Sequence, residues 1–373
     1  MSELLSEGGF GCIYYPGLSC KKGAKTKKKD IVTKIQIKNF NADNEIYISK
    51  LITKIGGYNL FFLPVISSCS IDIRNLNKSI VEIDKCQIID NTKNSYLAMD
   101  IPYVEQISFT EIVNTRSSKN IILIIIESFK YMLNALNKLN DVNIVHFDLK
   151  LENILFTNET TNPRIIDFGI SIPIDELSDS NMKKYFYSYA PSYYVWCLDI
   201  DIICYLLHKT DTTLTETDAD LIATSNVANN KALEIFSPEF NKQFLEITKK
   251  QIKKYIGVDK NEVIKKMLTY SNTWDNYSLS IIYFRIIALL FPEDNHKNKL
   301  VILLSQILLL NIHPDPQKRL SIADTVSKFE DIFYIDDDVE SYVNLAKNFN
   351  QNKLNTTTRI KEDINNLKLP KKY

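Results

Sequence analysis

The sequence HFDLKLEN at residues 146–153 decides how this 373-residue chain is interpreted. It carries a carboxylate at Asp148, a cation at Lys150 and an amide at Asn153. Asp167, in the tripeptide Asp-Phe-Gly, adds a second carboxylate further along the chain. The residues between the two carboxylates suffice for two short strands and a turn, which can fold both into one cleft.

Phosphoryl transfer requires the chemical groups that this part of the sequence supplies. The reaction needs a carboxylate near the acceptor hydroxyl, a cation at the γ-phosphate, and an amide with a second carboxylate to hold Mg²⁺. Asp148, Lys150, Asn153 and Asp167 provide these four groups in that order. A chance match at all four positions is improbable, so the sequence predicts a phosphoryl-transfer site.

Glycine is scarce in this chain, with nine residues in 373, yet three of them fall at Gly8, Gly9 and Gly11. Clustered glycines between two strand-like segments let backbone amides approach a polyphosphate, because no Cβ stands in the way. A hairpin turn would explain such a cluster equally well. The interpretation therefore depends on the residues that follow.

Lys34 and Glu45 supply that context. Lys34 lies in the alternating strand pattern IVTKI, where burying a lysine is costly unless it meets anions. Glu45 lies on the next predicted helix and is a candidate partner. Each residue alone is more often a solvated surface charge. Because both follow a glycine-rich loop, together they predict an ion pair that binds phosphate.

The composition is that of a folded globular protein, and it argues against several functional classes. The chain has 45 Lys plus Arg and 45 Asp plus Glu residues, so it has no net charge that would favour binding to nucleic acid. No apolar stretch reaches the roughly 20 residues of a membrane span. The six cysteines show no CxxC pair, no metal-ligand spacing and no preceding signal peptide. We therefore expect a reducing, intracellular and cytoplasmic setting.

The hydrophobic pattern changes along the chain. Residues 1 to about 105 alternate as strands do, with one helix beginning near Asn41, and helical periodicity takes over from Ile121. Helices are expected at 275–291 and 299–311, and the tail after about 335 is polar, with a frayed end.

On these residues the chain resembles the eukaryotic protein kinase family over about residues 1–335. The resemblance implies an α+β, bilobal protein-kinase-like fold. Its small β-rich N-lobe would span about 1–103 and its larger α-helical C-lobe about 104–335. The stretch from about 193 to 273 would be an insertion that binds a docking partner, and 336–373 would be a polar C-terminal tail.

The resemblance also implies roles for individual residues. Asp148 corresponds to the catalytic aspartate and Lys150 to the lysine typical of Ser/Thr kinases, while Asn153 and Asp167 correspond to the Mg²⁺ ligands. The ATP site would comprise the glycine-rich loop SEGGFGCI, the phosphate-binding pair and the hinge, namely Ser6, Glu7, Gly8, Gly9, Phe10, Gly11, Ile13, Lys34, Glu45, Met99, Asp100 and Ile101.

One supporting position stays open between two registers. An aspartate before a long apolar helix should buttress the catalytic loop. Asp275 is preferred because the sequence YSLS and a long apolar stripe follow it, and the alternatives are Asp199 and Asp201.

Several positions depart from the family pattern. Ser6 stands where the first loop glycine is usual, and Phe147 replaces an arginine, which argues against switching by phosphorylation of the activation segment. Ser192 replaces a glutamate and would leave Arg319 without its usual partner. Pro102 would deprive adenine of one N–H donor if Met99 and Asp100 begin the hinge.

Three functions are compatible with these observations. The first is an ATP-dependent Ser/Thr protein kinase that uses Mg²⁺, binds ATP between its lobes and acts on Ser or Thr hydroxyls of protein substrates. The second is a pseudokinase scaffold without catalysis. The third, a small-molecule kinase of the choline or aminoglycoside type, is less favoured because such enzymes lack a lysine at the position of Lys150.

A narrower resemblance concerns the origin of the chain. The Ile-, Asn- and Lys-rich composition, the extended loop at 16–30 and the divergent second half resemble kinases of large nucleocytoplasmic DNA viruses. That resemblance implies a viral protein in the host cytoplasm or the virion. The lysine run at 21–29 is either a solvated loop or a contact for acidic partners.

Overall fold

The computed structural model describes residues 2–8, 11–18, 29–75, 82–87, 89, 94–291, 298–334, 343–346 and 353–370. Two predicted loop residues, Gly9 and Phe10, and all but Lys29 of the lysine run lie outside these ranges. The chain divides into two compact units, one of Met1–Gln106 with Leu155–Ser171 and one of Ile107–Ile154 with Ile172–Tyr373. The first is rich in strands and the second in helices, which confirms the predicted α+β class.

The strands are short, and most of them belong to the first unit. Five form an antiparallel sheet in the order β1-β2-β3-β5-β4, and two smaller sheets have the orders β6-β8-β9 and β10-β7. Their bounds are β1 (Glu3–Glu7), β2 (Gly11–Tyr15), β3 (Ile31–Ile37), β4 (Ser67–Ile71), β5 (Tyr96–Pro102), β6 (Gln106–Ile107), β7 (Ile144–Val145), β8 (Ile154–Thr157), β9 (Pro163–Ile165) and β10 (Ile172–Pro173).

The five-stranded sheet is buried on both faces because its central strands alternate two sets of apolar side chains. Cys12, Tyr14 and Ile35 point into one hydrophobic cluster. Val32 and Met99 point into a second cluster. This period of two is what the sequence patterns of β3 and β5 predicted.

Helix α1 (Phe40–Ile52) connects β3 to the rest of the first unit. The side chain of Asn39 caps it by accepting a hydrogen bond from the Ala42 N–H at 3.0 Å. Its buried face carries Asn44, Glu45 and Ile48. The predicted helix is therefore present, with Asn39 rather than Asn41 as the cap.

Two cysteines of the first unit form a disulfide that the sequence analysis did not expect. Cys12 on β2 is joined to Cys86, 74 residues away, and Cys69 is disulfide-bonded as well. Among the described residues, Cys197 and Cys204 are free. No local spacing announces these bridges, because the segment after β4 folds back onto the outer cluster of the sheet.

The second unit is built around a fully buried helix. Helix α9 (Trp274–Leu290) buries all 17 of its residues, and three other helices of the unit pack against it. The helices are α2 (Phe109–Thr115), α3 (Ser118–Asn140), α4 (Met182–Tyr185), α5 (Leu198–His208), α6 (Glu216–Asn229), α7 (Pro238–Lys253), α8 (Lys260–Leu268), α9 (Trp274–Leu290), α10 (Lys299–Asn311), α11 (Ile322–Tyr334) and α12 (Lys353–Asn366).

The predicted insertion at 193–273 is helical, as its amphipathic pattern indicated. Helix α6 begins with a reciprocal capping box between Thr215 and Asp218. Helix α7 begins with Ser237 as the cap and Pro238 in the first turn. Local sequence thus fixes where these helices start.

The polar tail contains a helix that its sequence pattern did not predict. Helix α12 packs against α2 and α9, and Ile360 and Leu367 are buried there. Arg285 of α9 donates to Asp363 of α12 at 2.8 Å and also pairs with Glu234. No described helix of the chain has both the length and the apolar character that crossing a membrane would require.

Candidate functional site

In the first unit, Lys34 is shared by two carboxylates. The Lys34 Nζ lies 2.8 Å from Glu45 Oε2 and 3.1 Å from Asp167 Oδ1. The strand β3 carries Lys34 and helix α1 carries Glu45, so the predicted ion pair is present. Both side chains are almost fully buried, at 7% and 2% exposure.

Burial and charge act in opposite directions on this cluster. Burial alone would lower the pKa of Lys34, but the negative charges of Asp167 and Glu45 outweigh it and hold that pKa above its ordinary value. Burial raises the pKa of Glu45 to about 7, and the positive charge of Lys34 opposes this shift. The lysine therefore keeps its proton, while Glu45 changes its charge near neutral pH.

Asn44 fixes the loop that carries Asp167, and the sequence analysis missed it. Its amide nitrogen donates to the backbone oxygens of Gly169 at 3.1 Å and Ser171 at 2.9 Å. Asp167 has a left-handed backbone, with φ of 62°. Because few non-glycine residues adopt this conformation without support, the anchoring by α1 helps to hold the Asp167 carboxylate beside Lys34.

The glycine-rich loop contains one glycine that the sheet itself requires. A Cβ on Gly11 would lie 2.5 Å from the Ile35 backbone oxygen, so no larger residue fits there. The Gly8 N–H donates to the Gly11 oxygen at 2.9 Å, which closes the turn. Ser6 is exposed on β1, and Glu7 accepts a hydrogen bond from the Gln87 N–H at 3.1 Å.

Asp100, the predicted start of the hinge, lies within strand β5. Strand β5 continues to Pro102, which still pairs with Ile31 of β3. The Asp100 carboxylate is buried and accepts hydrogen bonds from Thr33 at 2.9 Å and Ser67 at 2.8 Å. Strand register, which the sequence did not reveal, keeps Asp100 within the sheet, and the chain leaves β5 only after Pro102.

An apolar cluster lies on the same face of the five-stranded sheet as Lys34. It contains the predicted Ile13, Met99 and Ile101. It also contains partly buried residues that the sequence analysis missed, namely Tyr15, Tyr103, Val104, Leu155 and Ile166. The rings of Tyr15 and Tyr103 stack with their centroids 4.1 Å apart. The donor question raised for Pro102 therefore moves to the residues after it.

In the second unit, three side chains contact the Asp148 carboxylate. The Asn153 amide nitrogen donates to the Asp148 backbone oxygen at 2.8 Å and to its Oδ2 at 2.9 Å. The Lys150 Nζ lies 3.2 Å from Asp148 Oδ1, and the Tyr193 hydroxyl donates to the same oxygen. Asp148 is 2% exposed, so these neighbours fix its carboxylate. The sequence analysis missed Tyr193.

Asp275 supports the catalytic loop, which resolves the open choice of register. Its carboxylate accepts the His146 N–H at 2.6 Å and the Phe147 N–H at 3.1 Å. Burial raises the pKa of Asp275, while its neighbour His146 and the two backbone donors lower it. Phe147 has φ of 69°, so these bonds hold a backbone conformation that is uncommon for a bulky residue.

The alternatives to Asp275 have other partners. Asp201 accepts a hydrogen bond from Asn226 at 2.9 Å. Asp199 pairs with Arg319 at 2.8 Å, and each side chain is 1% exposed. Arg319, which lacks its usual glutamate partner because of Ser192, therefore pairs with Asp199 instead. Asp199 lies 120 residues from Arg319 in sequence, so no local pattern could indicate the pair.

An aromatic cluster surrounds Phe147, where the family pattern has an arginine. The Phe147 ring lies 4.6 Å from Trp196 and 5.4 Å from Phe186, centroid to centroid. Trp274 of α9 packs on both Phe147 and Phe186. The Trp196 Nε1 also donates to the Phe147 backbone oxygen at 2.7 Å. Apolar packing thus attaches the segment at 186–196 to the catalytic loop.

Known proteins match part of the chain, and the range matched by a family model includes Asp148, Lys150, Asn153 and Asp167. A model of the protein kinase domain matches residues 71–194, about a third of the chain. The human cell division cycle 7-related protein kinase is 33% identical over 82 residues, which are 21% of this chain and 13% of that protein. A "Probable serine/threonine-protein kinase" of Dictyostelium discoideum is 35% identical over 94 residues, 23% of this chain and 14% of that protein.

A third relative is the serine/threonine-protein kinase SKS1 of Saccharomyces cerevisiae, 27% identical over 113 residues, which are 30% of this chain and 22% of that protein. The chain therefore spans less than a quarter of the length of each of these relatives. The fold is that of a protein kinase domain, and part of the chain is similar to eukaryotic-type serine/threonine-protein kinases.

Proposed function

We propose that this protein is an ATP-dependent Ser/Thr protein kinase that transfers the γ-phosphate to protein hydroxyls. The observation that carries the proposal is the geometry around Asp148, whose buried carboxylate is oriented by Asn153 and Lys150. A carboxylate held in this way can accept the proton of an attacking hydroxyl. The similarity to serine/threonine-protein kinases supports Ser and Thr as acceptors.

Asn153 and Asp167 have the donor chemistry that Mg²⁺ prefers. Both hydrogen bonds from Asn153 to Asp148 use the amide nitrogen, which leaves the amide oxygen as the ligand atom. A carboxamide oxygen and a carboxylate are hard oxygen ligands. Each of these residues would offer an oxygen ligand to Mg²⁺, and the metal would neutralise phosphate charge during phosphoryl transfer.

Lys34 would bind the nucleotide phosphates, with Glu45 holding its ammonium group in place. The 2.8 Å contact fixes the lysine, and its raised pKa keeps it cationic. The adenine ring would pack on the apolar surface formed by Ile13, Val104 and their neighbours. Lys150 would face the transferred phosphoryl group, since it is a cation beside the catalytic carboxylate.

A second candidate function is a scaffold that binds nucleotide or partner proteins without catalysis. One observation favours it, because the Tyr193 hydroxyl already donates to the carboxylate that an acceptor hydroxyl would need. The replacement of the usual glycine by Ser6 points the same way. A third candidate, a small-molecule kinase, would act on a small alcohol instead of a protein, and Lys150 argues against it.

Transfer of radiolabel from γ-labelled ATP separates these functions. We expect label on a generic protein acceptor, with phosphoserine or phosphothreonine after hydrolysis, and little label on choline or aminoglycoside acceptors. Asp148→Asn should abolish transfer while leaving nucleotide binding intact. The matched control is Asp179→Asn, which changes an exposed carboxylate in the same unit. Tight ATP binding by the wild type without any transfer would support the scaffold instead.

A further inference from the structure

Tyr193 contacts the candidate catalytic carboxylate although no prediction assigned it a role. Its hydroxyl donates to Asp148 Oδ1, and its side chain is 1% exposed. Resting on the proposed kinase function, we infer that Tyr193 is a positioning residue, which fixes the Asp148 carboxylate so that the other oxygen faces the acceptor hydroxyl.

Counting hydrogen bonds shows why Oδ2 is left for the acceptor. Each carboxylate oxygen can accept about two hydrogen bonds. Oδ1 of Asp148 is used by Tyr193 and by Lys150, whereas Oδ2 accepts one bond from Asn153. Among the residues that the structure describes, one acceptor position therefore remains on Oδ2. Without the phenol, the carboxylate could rotate and present either oxygen.

Several contacts fix Tyr193, so its side chain cannot act as a group that blocks the site and then moves away. Its N–H donates to Ala190 O at 2.9 Å, and its own backbone oxygen accepts the Trp196 N–H at 3.0 Å. Its ring packs edge-on against Trp196, with centroids 5.2 Å apart. Trp196 is itself attached to Phe147 through its indole nitrogen. The phenol therefore reaches Asp148 from a fixed backbone.

The phenol also stays a donor over the working pH range. Burial raises the pKa of Tyr193 well above its ordinary value, and the charge of Asp148 raises it further. The Lys150 ammonium lies 5.7 Å from the Tyr193 ring centroid, which adds a cation–π contact on the same side. Tyr193 and Lys150 thus form one support for Oδ1.

Two other roles for Tyr193 predict different kinetics. If its hydroxyl occupied the place of the acceptor, removing it would raise the rate of transfer. If it only stabilised the fold, removing it would lower the melting temperature and leave kcat of the folded enzyme unchanged. A positioning residue lowers kcat and leaves ATP binding and stability nearly unchanged.

The test is Tyr193→Phe, which deletes one oxygen and keeps the ring. We expect kcat to fall about tenfold, which is about 1.4 kcal/mol in activation free energy. The KM for ATP and the melting temperature should stay near the wild-type values. Tyr194→Phe is the matched control, because this neighbouring tyrosine is also buried but makes no hydrogen bond to Asp148 in the described part of the chain, and it should leave kcat unchanged.

The outcomes keep this inference separate from the proposed function. If the wild type transfers no phosphate, the kinase function fails before Tyr193 is tested. If the wild type is active, an unchanged kcat in Tyr193→Phe overturns the inference, and an increased kcat assigns the hydroxyl a blocking role instead. A loss of kcat accompanied by an equal loss in Tyr194→Phe would also overturn it, since the effect would then belong to general packing.

Discussion

The two units hold their candidate catalytic carboxylates in different ways. In the first unit, Asp167 shares the buried cation Lys34 with Glu45, so three charges fix one another. In the second unit, Asp148 is fixed mainly by the neutral donors Asn153 and Tyr193, with Lys150 as the one cation. The first arrangement depends on the sum of charges, and the second depends on packing around the carboxylate.

Because of this difference, the two carboxylates should be sensitive to different substitutions. A change of protonation or the loss of one charge should affect the first unit most, because a buried charge without its partner is costly. The second unit should tolerate such changes better. It should instead be sensitive to the loss of a hydroxyl, amide or aromatic group, because these groups position the Asp148 carboxylate by hydrogen bonds and packing.

Removing the shared cation should give the largest effect. In Lys34→Met we expect kcat/KM to fall by on the order of 10²–10³, because the phosphates lose a fixed cation and two carboxylates lose their partner. Steady-state kinetics and a thermal melt would measure both losses. The control is Lys54→Met, which changes an exposed lysine in the same unit. Activity within threefold of the wild type would mean that Lys34 serves the fold alone.

The Lys34–Glu45 pair of the first unit was also the easier contact to predict. Lys34 and Glu45 are 11 residues apart, on a strand and the helix after it, so hydrophobic periodicity and local order were enough. The catalytic loop could be recognised for the same reason, because Asp148, Lys150 and Asn153 lie within one short run.

Predictions failed where the relevant contact joins distant parts of the chain. Tyr193 reaches Asp148 across 45 residues, and the Cys12–Cys86 bridge closes 74 residues. Neither pair has a local spacing rule. The extent of β5 to Pro102 was not predicted either, because strand register depends on pairing between β3 and β5, which composition does not encode.

Helix α12 was missed for a related reason. Its sequence is polar, and hydropathy alone indicated a tail. The ion pair between Arg285 and Asp363 and the burial of Ile360 stabilise the helix on the second unit. Tertiary contacts, rather than helix propensity, therefore decide whether this segment is ordered.

The Lys34–Glu45 pair should make activity depend on pH, and this effect should be smaller than that of removing Lys34. Burial raises the pKa of Glu45 to about 7, so this acid loses its negative charge as the pH falls below that value. Protonated Glu45 no longer holds the Lys34 ammonium. We expect the KM for ATP to rise about tenfold between pH 8 and pH 6, which matches the change in the ionised fraction of one group with that pKa.

Two variants would show which group carries this pH dependence. Glu45→Gln should have a high KM at both pH values, and its residual slope reports the titration of the nucleotide phosphates themselves. Burial also raises the pKa of Glu152 to about 7, so Glu152→Gln is needed as the second comparison. If Glu152→Gln alone flattens the profile, the assignment to Glu45 is wrong.

The smallest effect is expected where the aromatic cluster replaces a charge. In kinases with an arginine before the catalytic aspartate, a phosphate on the activation segment can pair with it, but Phe147 cannot bind phosphate. Its ring packs on Phe186 and Trp196 instead, and this packing needs no modification. We therefore expect phosphatase treatment, verified by mass spectrometry, to change the initial rate of transfer by less than twofold. Phe186→Ala should lower the initial rate of transfer more than phosphatase treatment does, because it removes part of the aromatic cluster. A loss above tenfold on dephosphorylation, restored by incubation with ATP, would show that charge controls the second unit as well.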